Sequence, residues 1–106
     1  MPETTNTFPL DCSGFIYYVA QQAQMPVGRG LQQQYDAGKH VKKNKLKRGD
    51  VVFFQNTYVD GLSHNGIYLG DGKFIHAADE QDGVTESDLN DDYWSAHWYG
   101  ATRFSH

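Results

Sequence analysis

The chain has 106 residues and a formal charge of −4, with seven Tyr, six Phe and two Trp to give bulk to a core. That length suits one domain, expected to run over 1–106 with 1–9 as an irregular lead-in, and the acidic balance argues against a nucleic-acid partner. One cysteine excludes an intramolecular disulfide framework, and no apolar run is long enough for a signal segment or a membrane span; for work outside the cytoplasm a targeting segment is expected to be missing here or to lie in another part of a larger chain.

After the polar lead-in, Phe15, Ile16, Val19, Ala20 and Ala23 recur at helical spacing and predict an amphipathic helix from about Cys12 to Gln24, with Pro26 and Gly28 as stop signals. Asp11 is a natural N-cap, which places Cys12 in the first turn. There, unpaired backbone N–H groups and the helix dipole bias a thiol toward thiolate. A second short helix is expected over Leu31–Ala37, with Gly38 as its C′ residue. The basic run Lys39–Arg48 reads as a solvated connector ahead of a strand rather than as a nucleic-acid patch.

Val51-Val52-Phe53-Phe54 predicts a strand buried on both faces. Gln55–Ser63 is a polar loop. His64–Leu69 and Lys73–Ala77 flank Gly70-Asp71-Gly72, a tight-turn signal, and predict a β-hairpin. Asp79–Gly83 reads as an acidic loop, Val84-Thr85-Glu86 as a short edge strand, and Ser87–Asp92 as a loop or helical turn. The aromatic segment Tyr93–Phe104 ends in a final strand. Helices first and antiparallel strands after make the fold class α+β, with N-terminal helices packed on an antiparallel sheet.

His64 opens one hairpin strand and His76 lies near the end of the other, so antiparallel pairing brings them to one end of the sheet. Whether they share a face depends on register. The helix carrying Cys12 must pack its stripe on that sheet, so its N-terminus can reach the same end. Three readings stay open at this point. Cys12 is a small buried hydrophobe; or Cys12, His64 and His76 ligate zinc, without any close ligand pair; or they form a nucleophile–base–orienter set. His40, His97 and His106 are expected at the surface or terminus.

Three blocks now bear on that choice. Asp11-Cys12-Ser13-Gly14-Phe15, Leu46-Lys47-Arg48-Gly49-Asp50-Val51-Val52-Phe53-Phe54 and Ser63–Ala77 resemble, in order, the signature blocks of the NlpC-type cell-wall peptidases, and Tyr99–Arg103 is similar to that family's last strand. The resemblance implies a papain-like fold and hydrolysis of amide bonds in peptidoglycan stem peptides, typically between D-glutamate and a diamino acid. It implies Cys12 as nucleophile, His64 as general base and His76 as the group orienting the base. Asp11 and Ser13 match positions lining the substrate groove, and Ser63 flanks the base. It implies no metal or other cofactor, a peptidoglycan peptide as partner, a monomer or part of a larger chain, and an extracellular, periplasmic or envelope location.

A non-catalytic wall-binding module, a phage lysin and a secreted antibacterial toxin are the alternatives within the resemblance. Asn65 stands where the family usually has valine, and Arg48 where it usually has proline. The eleven residues before Cys12 hold neither the tyrosine nor the Gly-Gly pair usual upstream, so a truncated chain or a differently built pocket is expected.

Overall fold

A computed structural model describes residues 12–104 except 26, 58 and 80–82; the side chains of residues 12, 13, 78 and 79 also lie outside the description. Helix α1 (Cys12–Gln22) starts where the periodicity places it and ends two residues early. The stop is a Schellman arrangement. Gln24 adopts a left-handed φ of 60°, its N–H donates to Gln21 O at 3.1 Å, and Met25 N–H donates to Ala20 O at 2.8 Å. Backbone closure therefore ends the helix before Pro26 is reached.

Helix α2 (Leu31–Tyr35) is shorter than expected and is capped by Asp36, whose N–H donates to Gln32 O at 3.0 Å. Gly38 is not its C′ residue. It has no left-handed φ, and a side chain there would collide with the backbone of Arg103. The glycine serves close approach of two chain segments instead.

Six strands make one antiparallel sheet: β1 (Lys39–Val41), β2 (Val51–Gln55), β3 (Leu62–Gly70), β4 (Lys73–Asp79), β5 (Gly83–Asp88) and β6 (Trp98–Arg103), in the order β1-β6-β2-β3-β4-β5. The expected hairpin is β3–β4, with Ile67 opposite Ile75 and Tyr68 opposite Phe74. Strand β1 corrects the connector reading. Lys39-His40-Val41 carries no apolar alternation of its own, and it is a strand because Arg103, Thr102 and Ala101 of β6 offer it a ladder. The segment Tyr93–Phe104 divides into a short helix α3 (Asp92–Ala96), N-capped by Asp91, and β6. Ser87 and Asp88, expected in a loop, complete β5.

Period-two alternation splits the core between the two faces of the sheet. On one face Val51 and Phe53 pack against Ile16 of α1, with Leu31, Tyr35 and Ile67 around them. On the other, Val52, Phe54, Phe74, Leu89 and Ala101 pack beneath Trp94, Trp98 and Leu46. All four residues of Val51–Phe54 are buried, as the unbroken apolar run predicts. Helix α1 lies against β3 and β4. Its C-terminal half (Ala20, Ala23) borders an apolar pocket of about 160 Å³ with Gly49, Val51 and Ile67. Its N-terminus thus points away from that pocket, toward the end where β3 starts and β4 finishes.

At the pocket end, Asp50 closes the fold. Arg103 donates from Nε to Asp50 Oδ1 and from Nη2 to Oδ2, both at 2.8 Å, and Lys47 N–H donates to Oδ2 at 2.9 Å. The Gly49-Asp50 block works here as a fastener of β6 to the β2 entry, with Gly49 turning at a left-handed φ of 98°.

Candidate active site

His64 and His76 share a face of the sheet, which the sequence left open. The register sets Phe54 opposite His64 in β2–β3 and Tyr68 opposite Phe74 in β3–β4. Both histidines therefore stand on the Phe54–Phe74 side, under α3. His64 Nε2 and His76 Nδ1 are 2.8 Å apart with the rings nearly perpendicular. His76 Nε2 lies 2.9 Å from Ser87 Oγ on β5. Trp94 stacks on His64 at 5.4 Å between centroids and meets His76 edge-on at 5.1 Å.

Gly66 makes this approach possible. It lies on the same face as His64, and a β-carbon there would sit 2.7 Å from Ile75 O, 2.9 Å from Phe74 Cδ2 and 3.0 Å from His76 Cβ. A side chain would push β4, and His76 with it, off the His64 ring.

Burial sets the electrostatics. His64 and His76 are 4% and 2% exposed. Desolvation pushes the His64 pKa down to about 4, with the charge of His76 opposing its protonation as well; desolvation alone pushes His76 to about 4. Burial disfavours the charged form of an imidazole, so both rings are neutral at pH 7. Two neutral imidazoles in series can accept a proton on one and orient it with the other. Among the described residues no three His, Cys, Asp or Glu side chains gather in a metal-binding cluster.

The remaining sequence-predicted positions divide. Cys12 begins α1, but its side chain, that of Ser13, and the whole of Asp11 lie outside the described residues. Ser63 is buried beside His64, and its hydroxyl accepts from Thr57 N–H at 3.0 Å, holding the β2–β3 loop. His40 stacks on Tyr35 at 4.1 Å, and His97 bonds Gln55 O at 2.8 Å; both serve packing. Sequence reasoning missed Trp94 and Ser87. Ser87 had a signal: Thr85 and Ser87 alternate with Val84 and Glu86, which marks the far face of an extended strand, but only register brings it to His76.

Helices laid on an antiparallel sheet define an α+β fold, and the paired buried histidines on its adjacent strands make the candidate site. Residues 3–103 match the NlpC/P60 family, and the chain belongs to it. It is 46% identical over 95 residues to the gamma-DL-glutamyl hydrolase of Bacillus subtilis (strain 168), covering 89% of this chain and 23% of that protein. It is also 46% identical over 101 residues to the probable peptidoglycan endopeptidase LytE of the same organism, covering 94% of this chain and 28% of the relative. The chain thus spans about a quarter of the length of these curated relatives. Among solved structures it is similar to an NLP/P60 family protein from Staphylococcus aureus subsp. aureus Mu50, described as similar to lipoprotein, with a TM-score of 0.85 and 34% identity over 100% of this chain and 36% of that one. No described helix is long and apolar enough to cross a membrane.

Proposed function

We propose that this chain is a single catalytic domain, a cysteine peptidase hydrolysing amide bonds in peptidoglycan stem peptides at the cell envelope, with D-glutamyl–diamino acid bonds as its targets. The observation that carries the reading is the 2.8 Å contact between two buried, neutral histidines at the sheet end toward which the Cys12 helix points. Family membership and the glutamyl hydrolase relative support the substrate class.

In this reading His64 takes the Cys12 thiol proton, and the thiolate attacks the scissile carbonyl carbon. The Cys12 backbone N–H, in the first turn of α1, donates to the oxyanion. Collapse of the tetrahedral adduct breaks the C–N bond as imidazolium His64 protonates the leaving amine, and leaves a thioester on Cys12. Water then loses a proton to His64, adds to the thioester, and releases a carboxylate and the free thiol. His76 holds the His64 ring in register throughout. Asp11 and Ser13 line the groove that receives the stem peptide, and Ser63, buried with its hydroxyl on the Thr57 N–H, supports the base from beneath.

Mass spectrometry of purified stem peptides after incubation with the chain tests this directly. Cleavage next to D-glutamate, lost in Cys12→Ala and in His64→Ala, is the expected result. Wild-type rates in either variant would sink the reading. A wall-binding module without catalysis would instead leave the peptides intact and show an unactivated Cys12, whose alkylation follows the ordinary thiol pKa of about 8.5.

A further inference from the structure

His64, His76 and Ser87 form a chain of two hydrogen bonds in which each neutral ring carries one proton. Proton positions in such a chain are coupled. If His64 Nε2–H donates to His76 Nδ1, then His76 must carry its proton on Nε2 and donate to Ser87. If Ser87 donates to His76 Nε2, then His76 Nδ1–H donates to His64 Nε2, and His64 must carry its own proton on Nδ1. The first arrangement leaves the His64 Nδ1 lone pair to take a proton from a nucleophile. The second blocks it.

We propose that Ser87 is a positioning residue: its hydroxyl accepts the Nε2–H of His76 and so holds the pair in the arrangement that makes His64 Nδ1 the proton acceptor. This rests on the hydrolase reading for its purpose but not for its geometry. His76 is 2% exposed, with Phe74 at 4.7 Å and Trp94 at 5.1 Å between ring centroids. Among the described residues Ser87 Oγ is the hydrogen-bond partner recorded at His76 Nε2, so without it an Nε2–H there would be a buried donor left unmatched, which is strongly disfavoured. Ser87 reaches His76 diagonally across the β4–β5 ladder, since its direct partner is Phe74 and that of His76 is Thr85. The β5 register thereby sets the protonation pattern two strands away. When His64 becomes imidazolium, its Nε2–H···Nδ1 bond to His76 becomes charge-assisted, and the neutral His76 stays anchored on Ser87 without moving a second proton.

Long-range 1H–15N correlation spectra of histidine-labelled protein at pH 7 read the tautomers. The wild type is expected to show Nε2–H on both His64 and His76. In Ser87→Ala both rings shift toward Nδ1–H, and Ser87→Thr, which keeps the hydroxyl, restores the wild-type pattern. Iodoacetamide alkylation of Cys12, the sole thiol, is expected to slow about tenfold in Ser87→Ala and to recover in Ser87→Thr, the scale of one lost hydrogen bond. Nδ1–H on wild-type His64, or unchanged tautomers in Ser87→Ala, overturns the proposal. The wild-type spectrum decides the point even where a variant does not fold. Neither readout uses a substrate, so uncleaved stem peptides would count against the hydrolase reading alone.

Discussion

Two polar clusters lie toward opposite ends of this sheet, one half-exposed and one buried, and they are built on opposite electrostatic terms. At the β2 entry, Asp50 and Arg103 are an ion pair with two direct hydrogen bonds and a third from the Lys47 backbone. At the other end, His64, His76 and Ser87 are bonded as neutral groups, under an aromatic cover that disfavours charge. A charge fully matched by its neighbours can be left permanently in place, and serves as a fastener. A group kept neutral by burial retains an accessible second protonation state, and that state is what proton transfer uses. The first cluster is expected to govern stability, the second chemistry.

The largest contrast comes from His64→Ala. Peptide cleavage per folded molecule is expected to fall by about 10³-fold, the scale of losing a general base, while the urea midpoint falls only by the cost of truncating a buried ring. A variant that lost stability and activity in proportion would erase the distinction between the clusters. Asp50→Ala should do the reverse, lowering the urea midpoint while activity per folded molecule persists, because it removes three hydrogen bonds at once and leaves the Lys47 N–H without its partner. Urea unfolding combined with active-site titration separates the two effects.

The pH dependence sharpens the comparison further. His64 and His76 hold pKa values of about 4 in the fold against 6.5 when unfolded, so between those values the unfolded chain binds more protons. Stability is therefore full above about pH 6.5 and is lost as the pH falls toward 4. Urea midpoints measured at pH 7 and pH 4.5 should show that loss, and His64→Gln should flatten it.

A third cluster gives the smallest effect. Asn65 Nδ2 donates to Gln34 Oε1 at 2.8 Å, and Gln34 Nε2 donates to Gly28 O at 2.9 Å, tying α2 and its entry to β3 beside His64. Asn65 Oδ1, however, is buried without a hydrogen-bond partner among the described residues. Asn65→Val removes a bond and an unmatched acceptor together, so its stability is expected to change by no more than about 1 kcal/mol. A loss of several kcal/mol would show that the strap, and not the packing around it, holds α2.

Much of this was legible along the chain. Local patterns carried the α1 start, the buried run Val51–Phe54, the Gly70–Gly72 hairpin and the α+β class, because each depends on residues close in sequence. Strand β1 was illegible for the opposite reason: its ladder belongs to β6, some sixty positions later. Gly38 and Gly49 look alike in sequence. One serves close approach and the other a left-handed turn, and only the neighbouring chain distinguishes them.

The candidate site divides in the same way. The sequence by itself picked out the candidate residues: a sole cysteine opening a helix, and two histidines on paired strands in the order of three recognisable blocks. Tertiary structure alone decided that the histidines share a face, that Gly66 lets their rings meet, and that Ser87 and Trp94 complete their surroundings. The physical reason is register. Shifting one strand by a single residue would turn His76 to the opposite face without altering any local pattern, so the hydrogen bond between the rings belongs to the packed sheet and to no segment of it.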